Sequence, residues 1–167
     1  MSVPRRLATL LLLAAGAAQA HRGHESQLAL SVQAERVQGR WTLSLHDLPA
    51  VLQLGAVAAD DSAIAALIAA KPALDSSLLE RLRLAADGAP CPIKPLRHEL
   101  AQRQGGAAWV VHFEARCPAA PARLMVELRA LFERDPEHLM LLKLEVGAWV
   151  RAAVFSADSA RQVFQPD

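Results

Sequence analysis

In the stretch before residue 46, and again from residue 82 onward, apolar side chains recur at every second position. That period makes one face of an extended chain apolar and the other polar, the mark of a half-buried strand rather than of a helical stripe. Leu28, Leu30, Val32 and Ala34 alternate with Ala29, Ser31, Gln33 and Glu35, and the pattern resumes with Trp41, Leu43 and Leu45 against Thr42, Ser44 and His46. Gln38-Gly39 between them reads as the turn of a first hairpin. Leu82, Leu84 and Ala86 form a further strand, closed by the turn pair Asp87-Gly88. Residues 93–101 give a weaker strand, interrupted by Pro95, and Gly105-Gly106 turns the chain into Trp109, Val111, Phe113 and Ala115, opposite His112, Glu114 and Arg116. Leu124, Val126, Leu128, Ala130 and Phe132 continue the alternation against Glu127 and Arg129, followed by 139–146 and 149–155 with Gly147 at the bend. Gln162 to Asp167 read as a loose tail.

Residues 49–80 interrupt this pattern. Asp60 or Asp61 caps a helix whose Ile64, Leu67 and Ile68 fall at i, i+3 and i+4, with Lys71 near its end and Pro72 as its stop. Ser77 and Glu80 have capping-box spacing, which predicts a second short helix from about Asp75. Many short alternating strands with Gly, Pro and Asp turns predict a mainly β fold. The expected form is an antiparallel β-sandwich with a short helical insertion at about residues 60–80.

The first twenty residues have a different character. Arg5 and Arg6 precede an apolar run from Leu7 to Ala18, and Ala18-Gln19-Ala20 is a small-x-small site. This is the layout of a signal peptide (residues 1–20) cleaved after Ala20, leaving residues 21–167 as a single extracytoplasmic domain in the periplasm. An uncleaved membrane anchor is the alternative, although the run is shorter than the roughly 20 apolar residues that span a bilayer. An oxidising compartment favours pairing the two cysteines, Cys91 and Cys117, as a disulfide closing a loop of about 27 residues. Two buried free thiols are the alternative. Their spacing fits neither a redox motif nor a zinc site.

Lysine and arginine nearly balance aspartate and glutamate, for a formal net charge of +1, and no basic tract stands out, so nucleic acid is not an expected partner. The nucleophile elbow G-x-S-x-G, the H-E-x-x-H zinc motif, the P-loop and the G-x-G-x-x-G loop have no counterpart, and a non-enzymatic role is expected. Histidines are the chemically suggestive set. Cleavage after Ala20 places a free α-amino group beside the His21 imidazole, and His24 and His46 add further nitrogens suited to copper or nickel. A solvated stretch of chain is the alternative. His112 on a polar strand face reads as exposed, and His98 as hydrogen-bonded and half-buried. Asp135, Glu137 and His138, around Pro136, mark a polar turn and a candidate interaction loop, the alternative being a solvated turn shaped by the proline.

Several segments in order carry a family resemblance. They are Gly39-Arg40-Trp41 with Leu45-His46-Asp47-Leu48, then Leu82 to Cys91 (LRLAADGAPC), Phe113 to Pro118 (FEARCP), Leu131 to His138 (LFERDPEH) and Ala153 to Ser156. Following an export signal that ends just before a histidine, this set resembles the extracytoplasmic N-terminal region of HupE/UreJ-like bacterial membrane proteins. The resemblance implies a periplasmic module without the family's membrane part, linked to metal (nickel) uptake and docking to an inner-membrane partner. Relatives often carry a calcium-binding type of loop near residues 50–65. Here that stretch has too few oxygen ligands, so no calcium is expected. A monomer is expected.

Overall fold

The computed structural model describes residues 25–45, 48, 69, 71–103, 106–128, 132–133 and 135–166. Within these, the alternation becomes strands β1 (Glu25–Gln33), β2 (Arg36–Ser44), β3 (Leu82–Ala86), β4 (Ala89–Pro90), β5 (Ile93–Arg103), β6 (Gly106–Arg116), β7 (Leu124–Leu128), β8 (Leu139–Val146), β9 (Trp149–Phe155) and β10 (Arg161–Phe164). A helix, α1 (Lys71–Leu79), precedes β3, and a short 3-10 turn, Ala157–Ser159, precedes β10. The strands form a six-stranded sheet in the order β5-β6-β2-β1-β8-β9 and a four-stranded sheet in the order β10-β7-β3-β4.

The two sheets share one core. From the larger sheet come Leu28, Leu30, Trp41, Leu43, Trp109, Val111, Phe113, Met140, Leu142 and Phe155; from the smaller come Leu82, Leu84, Leu124, Val126, Leu128 and Phe164. These are the same-parity residues of each strand, as the period of two demands. Burying a side chain of this size is worth about 1.5–3 kcal/mol, which makes the apolar parity the dominant fold-specifying signal. The fold is therefore mainly β and sandwich-like, as expected. All pairings are antiparallel except β1 with β8, which run parallel from Glu25↔Leu139 to Val32↔Val146. Parallel neighbours cannot be joined by a tight turn, and much of the chain lies between these two.

The first hairpin turns at Ala34-Glu35, not at Gln38-Gly39: Gln33 pairs with Arg36, and Ala34 takes the left-handed φ of 52°. Gly39 instead lies inside β2, directly opposite Phe113 of β6. The expected helix stop at Pro72 is also corrected, since Pro72 lies within α1. Leu74 with Leu78, and Asp75 with Leu79, then form the buried face of α1, and the supposed capping box of Ser77 and Glu80 falls at the helix end. The helix expected around Ile64, Leu67 and Ile68 lies outside the described residues. The expected loose tail is partly strand: β10 pairs antiparallel with β7, and Phe164 is buried against Phe155 with ring centroids 6.5 Å apart.

Cys91 follows β4 of the small sheet and Cys117 follows β6 of the large one, and the two are joined as a disulfide. The bridge ties the sheets together at one end of the sandwich, where the Cys91 N–H donates to the Leu84 carbonyl and the Cys117 N–H to the Glu35 carbonyl. Beside it the Asp87-Gly88 turn has the two positive φ values that an Asp-Gly hairpin uses, 50° and 90°. The Asp87 carboxylate accepts the Ala122 and Arg123 N–H groups, fixing the entry to β7.

Candidate functional site

The start of β1, the end of β2 and the loop before β8 meet at one end of the larger sheet, because Gln27 pairs with Thr42 and Glu25 with Leu139. This is where the Asp135–His138 turn sits. Its carboxylate caps the turn, with Asp135 Oδ1 accepting the Glu137 N–H at 3.2 Å and the Asp135 carbonyl accepting the His138 N–H at 3.0 Å. Glu137 is exposed and Asp135 is half-buried, but His138 is 1% exposed. Its Nε2 lies 2.9 Å from Ser26 Oγ, itself fully buried, and its ring packs at a tilt against Phe132. The candidate interaction loop thus splits: Glu137 is exposed and Asp135 half-buried, whereas His138 is buried, bonded to Ser26 and packed on Phe132. Ser26→Ala is expected to cost about 1–3 kcal/mol, since it takes the Nε2 partner out of a buried site. Ser26→Ala with His138→Phe is expected to recover much of that loss in urea unfolding. Equal stability of Ser26→Ala and wild type would remove the role assigned to this pair.

His21, His24 and His46, the candidate copper or nickel ligands, lie outside the described residues. Among the described residues no group of three or more His, Cys, Asp or Glu side chains is arranged to hold a metal ion. No helix among them is long and apolar enough to cross a membrane.

The two remaining histidines are both engaged. His98 of β5 puts Nδ1 2.9 Å from Asp75 Oδ2 of α1 and stacks on Trp109 with centroids 4.9 Å apart, as a half-buried, hydrogen-bonded histidine should. This contact fastens the helical segment to the sheet. A His-Asp pair also occurs in nucleophilic catalysis, but there the other ring nitrogen meets a hydroxyl or thiol. Among the described residues it meets neither. The reading of His112 as simply exposed is corrected: its side chain is mostly covered and Nε2 lies 3.3 Å from Glu99 Oε1 across the β5–β6 pair. The directly opposed residue is Arg97, so Glu99 is a diagonal neighbour, a relation that single-strand parity does not reveal. The His112 hydrogen bond first, then the Arg97 bond at 3.0 Å, holds the Glu99 carboxyl below the usual carboxylate range.

These groups belong to a larger surface. Across the outer face of the six-stranded sheet, the pairing register places Arg97, His112, Arg40, Ala29, Lys143 and Ala152 in one row. Parallel to it run Lys94, Glu114, Gln38, Ser31 and Glu145. Arg36 pairs with Glu114 at 3.4 Å, and Lys143 with Glu145. Arg40, central and exposed, carries a charge that no described acid answers. A groove of about 310 Å³ crosses this face over β1, β2, β6 and β8, lined by Ser31, Gln38, Arg40, His112, Lys143 and Glu145. Exposed ion pairs of this kind contribute little to stability. Sequence parity places Ser31, His112 and Glu114 opposite the apolar face, and only the register joins them to Gln38, Arg40, Lys143 and Glu145. A second groove, about 650 Å³, lies between α1 and the β3–β5 edge, walled by Leu79, Leu82, Pro90, Pro92, Ile93 and Met125.

The arrangement defines a disulfide-tied, mainly β domain with a charged sheet face. No protein-family model matches the chain, and no curated protein matches it. The resemblance to HupE/UreJ-like proteins therefore rests on the ordered sequence segments alone.

Proposed function

We propose that this chain is a non-enzymatic periplasmic interaction domain, accessory to an inner-membrane protein and related in role to the soluble part of HupE/UreJ-like proteins. The observation that carries the reading is the outer face of the six-stranded sheet, where Arg40 stands exposed beside the Lys143–Glu145 pair over the groove. Such a face suits an acidic, extended segment of a partner: a guanidinium forms paired hydrogen bonds with carboxylates, and a rim charge steers encounter. The disulfide is consistent with an oxidising compartment, and with it the signal-peptide reading of residues 1–20. Affinity capture on the mature domain from cell envelopes tests this. An integral membrane protein is expected to be enriched by wild type and lost with Arg40→Glu. Equal capture by both forms, or enrichment of no membrane protein, overturns the proposal.

A second reading, a copper- or nickel-binding protein using His21, His24 and His46, is favoured by one observation. The first described residue of β1, Glu25, and the last of β2, Ser44, lie at the same end of the hairpin, so the chain on either side of the pair starts from adjacent points. Calorimetry on the mature protein with Cu(II) or Ni(II) is expected to show binding that disappears when a residue is added before His21. Absence of heat with either metal rejects this reading.

A further inference from the structure

The six-stranded sheet has two edges, and they are built differently. β5 carries Pro95, a register shift between Pro95 and Arg97, and the charges of Lys94, Arg97 and Glu99. Proline, bulges and charges are the devices by which proteins blunt an open strand edge. β9 has none of these outward devices. It pairs with β8 without interruption from Trp149 to Phe155, contains no proline, and holds one charge, Arg151, on the inner-face parity. On the outer face Val150 is 57% and Val154 51% exposed, beside Leu141.

The backbone phase matters as much as the side chains. The Val154 carbonyl accepts a hydrogen bond from Gln162 Nε2 at 2.7 Å, so the Val154 peptide groups point away from β8. Antiparallel ladders alternate, so the same holds for Ala152 and Val150. Those three residues therefore present outward-directed N–H and C=O groups together with apolar outer-face side chains. Gln162 bonds to this edge, and with Val163, Phe164 and Gln165 it walls a groove of about 500 Å³ along Trp149 to Val154; the Val154 oxygen keeps a second lone pair.

The strand is also close to a palindrome about Ala152: Val150, Arg151, Ala152, Ala153, Val154. Placed antiparallel against itself about that residue, Ala152 faces Ala152, Val150 faces Val154, and Arg151 faces Ala153, so no like charges are directly opposed. All three outward residues fall in hydrogen-bonded pairs. We propose that two copies of this chain join β9 to β9 about a two-fold axis at Ala152, merging their six-stranded sheets into one continuous sheet. Such an interface is isologous and closed, so it ends at a dimer rather than a fibre. It departs from the monomer expected from sequence, and it leaves the Arg40 face open, doubled across the axis.

Sedimentation equilibrium of the purified mature protein at micromolar concentration tests the proposal with no other component present. Wild type is expected at twice the monomer mass. Val150→Lys with Val154→Lys sets like charges opposite each other twice and is expected to sediment as a monomer, whereas Val150→Lys with Val154→Glu sets opposite charges together and is expected to remain dimeric. Both pairs of substitutions are on exposed positions, and circular dichroism checks that the sheets persist. Ala152→Pro removes one outward N–H without touching the β8 ladder and is also expected to be monomeric. A monomeric wild type, or the same mass for the Lys/Lys and Lys/Glu forms, overturns the inference. A dimer that persists through both Lys/Lys and Ala152→Pro does so as well. Loss of membrane-partner capture with an intact dimer would bear on the docking face alone.

Discussion

Gly39→Ala destabilises this domain by about 3 kcal/mol, toward the top of the usual range for overpacking a core. A methyl group built on Gly39 would lie 2.0 Å from Phe113 Cζ and 2.3 Å from its Cε2, well inside contact distance. Phe113 is buried, and its ring rests on the backbone of the glycine directly opposite it. The ring therefore cannot move aside without disturbing the core layer that includes Trp41 and Val111. Because stabilities of small domains are about 5–15 kcal/mol, this one methyl group removes a large share. Coupling gives the decisive measurement. Phe113→Leu costs stability by itself, but Gly39→Ala in that background is expected to cost much less than in wild type, a non-additivity seen only for residues in contact. Urea unfolding of the four proteins measures it. Additive losses would show that the ring and the glycine do not depend on each other.

Replacing both Cys91 and Cys117 by alanine is expected to lower stability by about 3.5 kcal/mol, from the chain-entropy model applied to their separation of 26 residues. For a domain of this size that lowers the thermal midpoint by roughly 10 °C. The loss has a structural direction, because each sulfur leaves from the end of a strand in a different sheet. The small sheet, which the bridge anchors through β4, is expected to lose amide-exchange protection first. A variant with an unchanged midpoint would show that sheet-to-sheet packing alone holds the ends together.

The alternation of apolar residues was readable because burial on one sheet face is worth more than any local preference, and it placed Trp109, Val111, Phe113 and Ala115 correctly inside. Turns were harder. Gln38-Gly39 looks like a hairpin tip by composition, yet Gly39 is needed where an aromatic ring approaches the backbone from the neighbouring strand, a long-range demand. Ala34-Glu35, which does turn, carries no turn residue; the register on both sides forces it. Pro72 reads as a stop because proline breaks helices by local rule, yet α1 includes it and runs on to Leu79 with Leu74 and Leu78 buried, a tertiary demand. The parallel β1–β8 pair and the strand at Arg161–Phe164 depend on which elements meet across the sandwich. The cysteine pairing followed from counting. The row through Arg97, His112, Arg40 and Lys143 draws on strands far apart in sequence, so no local pattern announces it.

The bridge from Cys91 to Cys117 has a topological consequence. Everything between those residues, including the whole of β5 and β6, lies on a closed covalent ring. A protease that cuts once inside the ring yields a nicked molecule whose two pieces stay attached, migrating as one species until a reductant is added. A domain built this way keeps an entire sheet edge through a cleavage that would sever an open chain.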